Sequence, residues 1–192
     1  MIVARPTCIE CGKPLNVCLC RFVLQLEHTV PITIIQHPAE AKHPKNSVAL
    51  LWRSLTHCRV VAGERPDDLL GEIGARYPER SLALLYPETP DQPAPPSAPQ
   101  RTTDIHLLVL DGTWRKTRRM LYENPTTAAL PRLQLRSPQC GRYRIRKASD
   151  PHQLSTLEAC ALAIAQLEPQ FDAARLLKAF DDWQAHLLEQ RG

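Results

Sequence analysis

Short apolar runs alternate with mixed polar and apolar segments along the chain. Four of these runs are predicted strands, at residues 32–36, 58–62, 81–86 and 105–110. The fourth is apolar on both faces apart from His106 at its start. Continuous apolar strands separated by helices are typical of parallel sheets that are covered on both sides. The pattern therefore predicts an α/β fold, a mostly parallel sheet with helices on both faces.

Capping residues and prolines predict where the helices begin and end. Ser47 can cap a short helix, and Pro66, followed by two acidic residues, suits the first turn of another. A third helix is predicted to follow a cap at Asp111 or Thr113 and to stop at Asn124-Pro125. Further elements are predicted later in the chain: short strands at 132–136 and 143–145 and helices at 154–167 and 172–188.

Length and charge narrow the class of protein. A chain of 192 residues fits one α/β domain with a small appendage. The net charge of +4 permits a nucleic-acid partner without requiring one. The sequence contains neither an apolar run of about 18 residues nor a signal-peptide core, so we expect a cytoplasmic protein with no membrane partner. Residues 87–99 hold six prolines and are predicted to form a loop.

Four of the seven cysteines lie within thirteen residues, as Cys8-x2-Cys11 and Cys18-x-Cys20. Two closely spaced thiolate pairs suit a tetrahedral zinc ion, and in a reducing compartment they favour metal over disulfides. An iron–sulfur cluster and a redox dithiol are the alternatives. We therefore predict a structural zinc knuckle at residues 1–25 and a catalytic domain at residues 26–192 that includes the proline-rich loop 87–99.

The segment from Asp111 to Trp114 follows the most apolar predicted strand. Ligands of open α/β sheets bind beyond the carboxyl ends of the strands. A carboxylate there is partly removed from water, which makes Asp111 a candidate general base. Gly112 lets backbone approach a ligand closely, and Thr113 offers a hydroxyl group. The alternative interpretation is an ordinary helix cap with Trp114 packed on the core.

Other strand ends supply polar and aromatic residues to the same predicted edge. The first strand ends in Gln36-His37-Pro38-Ala39-Glu40, and the third in Leu85-Tyr86-Pro87. Ser155 and Glu158 form a capping box. Two basic segments suit phosphate contacts, although residues 142–147 could equally be an edge strand protected by charge. Their basic residues are Arg115, Lys116, Arg118, Arg119, Arg142, Arg144, Arg146 and Lys147, and Tyr143 lies among them.

Six motifs in a fixed order carry a resemblance that spans residue 5 to about residue 165. They are Cys8/Cys11/Cys18/Cys20, Gln36-His37-Pro38-x-Glu40, Leu85-Tyr86-Pro87, Asp111-x-Thr113-Trp114, Tyr143-x-Ile145-Arg146-Lys147 and Leu154-Ser155-Thr156-x-Glu158. The chain resembles the DTW-domain family and looks like a bacterial tRNA-uridine aminocarboxypropyltransferase. The resemblance implies a SPOUT-like fold with a C-terminal trefoil knot and S-adenosylmethionine as co-substrate. It also implies transfer of the 3-amino-3-carboxypropyl group to N3 of a tRNA uridine, with release of methylthioadenosine.

The resemblance also assigns roles to the motif residues. Asp111, Thr113 and Trp114 are the predicted catalytic residues, with Asp111 either removing the N3 proton or orienting the donor. The predicted donor-binding residues are Leu85, Tyr86, Pro87, Leu110, Gly112, Leu154, Ser155, Thr156 and Glu158. The predicted RNA-binding residues are His37, Arg115, Lys116, Arg118, Arg119, Tyr143, Arg144, Arg146 and Lys147.

Three alternatives of function stay open from the sequence. A SPOUT-type RNA methyltransferase would use the same donor but release S-adenosylhomocysteine. An rRNA-directed aminocarboxypropyltransferase would differ in its substrate, and the four cysteines favour the tRNA branch by resemblance. A zinc-containing RNA-binding module would form no product. The sequence is compatible with a monomer or a homodimer.

Overall fold

A computed structural model describes residues 6–41, 43, 45–87, 101–136, 141–142 and 153–190. Five strands form a single sheet in the order β2-β1-β4-β3-β5, and every pairing is parallel. The prediction of a mostly parallel α/β sheet is confirmed. The strands are β1 (Ile32–Gln36), β2 (Cys58–Ala62), β3 (Ser81–Leu85), β4 (Ile105–Asp111) and β5 (Arg132–Leu133).

Seven α-helices and four 3-10 turns accompany the sheet in the described residues. The helices are α1 (Pro38–Ala41), α2 (Val48–Ser54), α3 (Leu70–Ala75), α4 (Trp114–Glu123), α5 (Pro125–Ala128), α6 (Thr156–Leu167) and α7 (Ala173–Glu189). The 3-10 turns are Leu15–Val17, Cys20–Phe22, Pro66–Leu69 and Thr102–Asp104.

Helices cover both faces of the sheet, as the apolar strands require. On one face, Ile34 and Leu107 pack in a core that includes Trp183 of α7 and residues of α2 and α6. On the other, Leu108 packs with Met120 of α4 and with residues of α3. Two apolar cores therefore lie on opposite sides of one sheet, and the N-terminal cysteine-rich segment joins the first core through the fully buried Leu19.

Several predicted boundaries differ from the structure. Strand β3 ends at Leu85 rather than at residue 86, and β5 has two residues where five were expected. The predicted stop of the third helix at Asn124-Pro125 is confirmed, because α4 ends at Glu123 with Asn124 as its C-cap; Pro125 begins a separate helix, α5, where its missing N–H is not needed. The predicted strand at 143–145 lies outside the described residues. The trefoil knot also depends on that segment and stays a prediction.

No helix in the described part of the chain is long and apolar enough to cross a membrane.

Candidate active site

Three sequence motifs meet at one carboxylate on the carboxyl edge of the sheet. Asp111 is the last residue of β4 and lies beside Gln36, the last residue of β1, in the parallel register. The Asp111 Oδ2 accepts a hydrogen bond from Gln36 Nε2 at 2.7 Å, and its Oδ1 accepts one from Thr156 Oγ1 at 2.5 Å. The carboxylate is 8% exposed. Asp111 therefore joins β1, β4 and the first turn of α6.

Gly112 and Thr113 turn the chain from β4 into α4. Thr113 is the N-cap, and its side chain accepts a hydrogen bond from the Lys116 N–H at 3.4 Å. A Cβ on Gly112 would lie 3.3 Å from side-chain carbons of both Lys116 and Thr117. The first turn of the helix folds closely over Gly112, so a side chain there would require these neighbours to shift by a few tenths of an ångström. A close approach of ligand to Gly112 stays a prediction.

An aromatic pair lies next to Asp111 along the same edge. The rings of Tyr86 and Trp114 meet edge to face, with centroids 5.6 Å apart. Tyr86 is buried, shares a 3.2 Å hydrogen bond with Thr117 Oγ1, and has its pKa raised by burial, so the phenol is neutral at physiological pH. Trp114 is 41% exposed. The alternative of Trp114 as a core residue is therefore wrong, and its indole offers a surface for a ligand.

Arg132 is a site neighbour that the sequence analysis missed. Its guanidinium lies 5.2 Å from the centroid of the Tyr86 ring, although the residue is only 4% exposed. Burial lowers its pKa from the ordinary value, but arginine stays charged in proteins. An arginine inside a predicted strand was the available signal, because such residues are rarely buried without a specific contact.

Two of the predicted RNA-binding side chains form ion pairs with carboxylates of the same chain. Lys116 Nζ lies 2.7 Å from Oε1 of the buried Glu40, which ties α4 to α1. Arg119 pairs with Glu123 one turn further on, at 2.7 Å. Two of the four basic side chains predicted to contact RNA on this helix therefore pair with carboxylates of the protein itself. Arg115 and Arg118 are exposed.

His37 follows β1 and is turned toward the loop after β2. Its Nε2 lies 3.4 Å from Glu64 Oε1, and its Nδ1 accepts a hydrogen bond from the Ala39 N–H at 3.2 Å. The second predicted basic segment, Tyr143, Arg144, Arg146 and Lys147, lies outside the described residues. Contacts of all these residues with RNA stay predictions.

The start of α6 is built by a capping box. Ser155 Oγ accepts from the Glu158 N–H at 3.2 Å, and Glu158 Oε2 accepts from the Ser155 N–H at 2.7 Å. The other Glu158 oxygen accepts a hydrogen bond from the Arg142 N–H. Glu158 is 1% exposed and its carboxylate accepts from these backbone N–H groups, so its role is to hold the start of α6 in place. Thr156 and Leu154 are half-buried at the helix start, near the predicted donor site.

Comparison with known proteins assigns the family. A DTW domain matches residues 5–188.

This chain belongs to the DTW-domain family.

Relatives from three organisms resemble this DTW domain. A tRNA-uridine aminocarboxypropyltransferase 2 from Mus musculus is 31% identical over 178 residues, which cover 85% of this chain and 57% of the mouse protein. The protein of the same name from Drosophila melanogaster is 28% identical, with 85% of this chain and 67% of that protein covered. tRNA-uridine aminocarboxypropyltransferase A from Arabidopsis thaliana is 24% identical, with 61% and 50% covered. No solved structure matches this chain significantly.

The DTW domain begins with the four-cysteine cluster, whose geometry suits a metal ion. All four Sγ atoms lie within 4.8 Å of one another, and the pairs Cys8–Cys20 and Cys11–Cys18 are each 3.7 Å apart. A tetrahedral zinc ion with bonds of about 2.3 Å holds its sulfurs roughly 3.8 Å apart. Gly12, with φ of +67°, makes the tight turn after Cys11 that glycine favours.

The protonation of the cluster also indicates how a metal would bind. Hydrogen bonds from the backbone of Cys11 and Glu10 lower the pKa of the Cys8 thiol to about 6. Desolvation, together with the neighbouring sulfurs, raises the pKa of the Cys20 thiol to about 12. A metal must therefore displace protons at neutral pH. Away from this cluster, burial raises the pKa of Cys58 to about 12, so that it behaves as a small apolar side chain, while Cys160 is fully buried.

Proposed function

We propose that this DTW domain transfers the 3-amino-3-carboxypropyl group of S-adenosylmethionine to N3 of a uridine in tRNA. The observation that carries the proposal is the meeting of Gln36, Asp111 and Thr156 at the carboxyl edge of the sheet. Relatives covering most of this chain are named tRNA-uridine aminocarboxypropyltransferases. The chain spans just over half of the mouse protein's length, so the activity is proposed for this chain rather than transferred to it.

The reaction forms one carbon–nitrogen bond and breaks one carbon–sulfur bond. N3 of uridine first loses its proton to a base. Its electron pair then attacks the methylene carbon next to the sulfonium, and the sulfur leaves with the broken bond's electrons as neutral methylthioadenosine. Because the sulfonium is already a good leaving group, the protein's main task is to place that methylene, rather than the methyl group, in line with N3.

The donor is assigned to the β3, β4 and α6 side of the edge. Tyr86 and Trp114 form an aromatic wall there, and the first turn of α6 brings backbone N–H groups and the Thr156 hydroxyl to the same edge. The backbone around the wall would hold the adenosine and methionine parts. Besides Tyr86 and Thr156, the proposed donor-binding residues are Leu85, Pro87, Leu110, Gly112, Leu154, Ser155 and Glu158, the last of these by fixing the helix start.

Asp111 is a candidate either for removing the N3 proton or for orienting the donor, and its hydrogen bonds are compatible with both roles. Gln36 and Thr156 each donate to one of its oxygens, which holds the carboxylate at the carboxyl edge of the sheet, as a base would need. The same two bonds position Gln36 and the start of α6. We propose that Asp111 is the general base, with Gln36 and Thr156 holding its carboxylate in place. Thr113 starts α4, and Trp114 packs against donor or acceptor.

We also propose that the four cysteines hold a structural zinc ion. Four sulfurs at tetrahedral spacing leave no position for a substrate, so the ion would fix the N-terminal segment against the first core. The metal is tested by measuring protons released as zinc is added to metal-free protein, since the thiols must ionise to bind it. We expect release of more than one proton per ion at pH 7. Zinc-independent folding of this segment would contradict a structural role.

The remaining parts of the proposal follow from the family. A cytoplasmic protein with tRNA as its partner fits the activity, and a SPOUT-like fold with a C-terminal trefoil knot is proposed from the family resemblance. The exposed Arg115 and Arg118 are the proposed phosphate contacts on α4.

The deciding experiment is incubation of the protein with S-adenosylmethionine and a total tRNA pool, followed by mass spectrometry of the digested nucleosides. We expect a uridine heavier by an aminocarboxypropyl group and an equal amount of methylthioadenosine. A methylated nucleoside with S-adenosylhomocysteine would indicate the methyltransferase instead. Product with ribosomal RNA but not with tRNA would change the substrate class. No product with either RNA would contradict the proposed activity.

A further inference from the structure

A cavity of about 470 Å³ lies between the cysteine-rich segment, the end of β1 and helix α2. That volume is within the range of small-molecule binding sites. Its described lining comes from the cysteine-rich segment, β1, β2 and the region of α2, and includes Lys13, Gln36, His43, Trp52 and Arg53. None of these residues is acidic, whereas Lys13 and Arg53 are basic. The lining thus favours a ligand that carries negative charge.

The cavity adjoins the site on the side away from the proposed donor. Gln36 lines the cavity, and its side-chain amide donates a hydrogen bond to Asp111. In the strand order, β1 and β2 lie on one side of β4, whereas β3 and β5, with the Tyr86–Trp114 wall, lie on the other. Asp111 therefore stands between the aromatic wall and the cavity. A reaction that joins two substrates at Asp111 needs space on both sides of it.

The cavity also contains an aromatic surface that is held in place. Trp52 is 40% exposed, and the Arg53 guanidinium lies 4.3 Å from the centroid of its ring. Arg53 donates hydrogen bonds to the carbonyl oxygens of Glu10, at 3.0 Å, and Ala49, at 3.4 Å. These bonds fix the guanidinium against the indole. An ordered indole beside cationic side chains is the combination that binds an unstacked nucleotide, with the base on the ring and the phosphate near the cations.

We infer that this cavity receives the acceptor uridine of the tRNA, flipped out of its neighbours and stacked on Trp52. The inference rests on the proposed function and adds the place of the second substrate. Uridine held there presents N3 toward Asp111, and the donor methylene would reach N3 from the side of the Tyr86–Trp114 wall. It also gives the cysteine-rich segment a part in recognition, because Lys13 and the turn at Gly12 form one wall.

A photochemical crosslink tests the position directly. The uridine that the wild-type protein modifies is replaced by 4-thiouridine in a synthetic tRNA, and the complex is irradiated and digested. We expect the crosslinked peptide to contain residues of the cavity, between His43 and Arg53. Crosslinks confined to α4, or to any other peptide that does not line the cavity, would overturn the assignment. This measurement uses the unaltered protein, so it does not depend on the folding of a variant.

Substitution of Trp52 gives a second, independent readout. We expect Trp52→Ala to raise the KM for tRNA by about 5- to 150-fold, the loss of one base–aromatic stack, with the Kd for S-adenosylmethionine unchanged. Trp52→Phe keeps a stacking surface and should stay within a few-fold of wild type. Leu188→Ala is the matched control, since Leu188 is 43% exposed and lies on α7 outside the cavity. It should leave both constants within about twofold.

The outcomes separate this inference from the proposed function. Absence of product with the wild-type protein contradicts the proposed function itself. Normal product formation with an unchanged tRNA KM in Trp52→Ala contradicts only the acceptor site. Equal losses in tRNA and donor affinity in Trp52→Ala would also overturn it, because they would show a general disturbance of the site.

Discussion

Each end of α6 takes part in the hydrogen bonding of a buried carboxylate, but the two carboxylates accept from different kinds of donor. At the carboxyl edge of the sheet, Thr156 donates to Asp111. At the opposite edge, Glu168, the residue that ends α6, accepts from the N–H groups of Thr29 and Val30 and from the Thr29 hydroxyl, at 2.7 to 3.1 Å. Both carboxylates are at least nine-tenths buried.

The difference lies in the donors. Two of the donors to Glu168 are backbone N–H groups, which have no alternative partner and therefore fix the loop before β1. Asp111 accepts from the side chains of Gln36 and Thr156, which can rotate, and the site beside them adjoins a cavity. A carboxylate bound by backbone stabilises the fold, whereas one bound by side chains beside open space can also serve chemistry. The predictions below test that distinction.

The largest effect is expected for Asp111→Ala. Loss of the proposed general base should reduce kcat for the proposed aminocarboxypropyl transfer by a factor of about 10² to 10⁴. The Kd for S-adenosylmethionine should change little if the role is proton removal. We would measure both by single-turnover product formation and by calorimetry of donor binding. A variant that keeps kcat but binds the donor poorly would assign Asp111 to orienting the donor instead.

The matching change at the other edge should act on stability. In Glu168→Ala, the N–H groups of Thr29 and Val30 lose their acceptor inside the protein, which should lower the free energy of unfolding by about 2–4 kcal/mol. Urea denaturation followed by circular dichroism measures this. The rate per folded molecule should stay near wild type. A large loss of kcat with unchanged stability would break the comparison.

Acid should lower the free energy of unfolding through His106, which lies near the amino end of β4. This residue is 1% exposed, and its Nε2 lies 2.9 Å from Thr33 Oγ1. Desolvation, with help from Arg80, lowers its pKa to about 4. The unfolded chain, with a pKa near 6.5, binds more protons between these values, so stability falls as the pH drops from 6.5 to 4. Over this range the free energy of unfolding should fall by up to about 3 kcal/mol. Urea midpoints at several pH values measure it, and His106→Phe should flatten the profile.

A pair of threonines gives the smallest and sharpest test. Thr156→Val and Thr29→Val each remove one hydroxyl that donates to a buried carboxylate. The loss of one such hydrogen bond should cost roughly 1–2 kcal/mol of free energy. We expect Thr156→Val to slow transfer by roughly tenfold with little change in Tm, and Thr29→Val to lower Tm with little change in kcat. The comparison fails if the two variants show the same pattern.

Much of the sheet follows from local sequence. The predicted bounds of β1 and β2 match the structure because both are short runs of β-branched and apolar residues set between turns. The cap at Thr113 and the capping box at Ser155 were also predictable, since such caps involve residues three apart. The family assignment is confirmed by the match to residues 5–188.

Local sequence does not reveal contacts that depend on the order of the strands in the sheet. No pattern near Gln36 indicates that β1 lies next to β4, so its bond to Asp111 needed the fold. The same holds for Glu40 and Lys116, which the chain separates by 76 positions. The cavity beside Trp52 depends on how the cysteine-rich segment packs on α2. Short pieces such as α1 and α5 were missed because four residues are too few for a periodic signal.

The bonds of Asp111 also bear on how the protein is made. Its partners are 75 positions earlier and 45 positions later in the chain. A nascent chain that has left the ribosome only as far as β4 can pair its strands, but it lacks the hydroxyl that completes the site. Such long-range contacts form late, after the loops between them close. The proposed activity should therefore appear only after α6 has docked, so incomplete chains would stay inactive during synthesis.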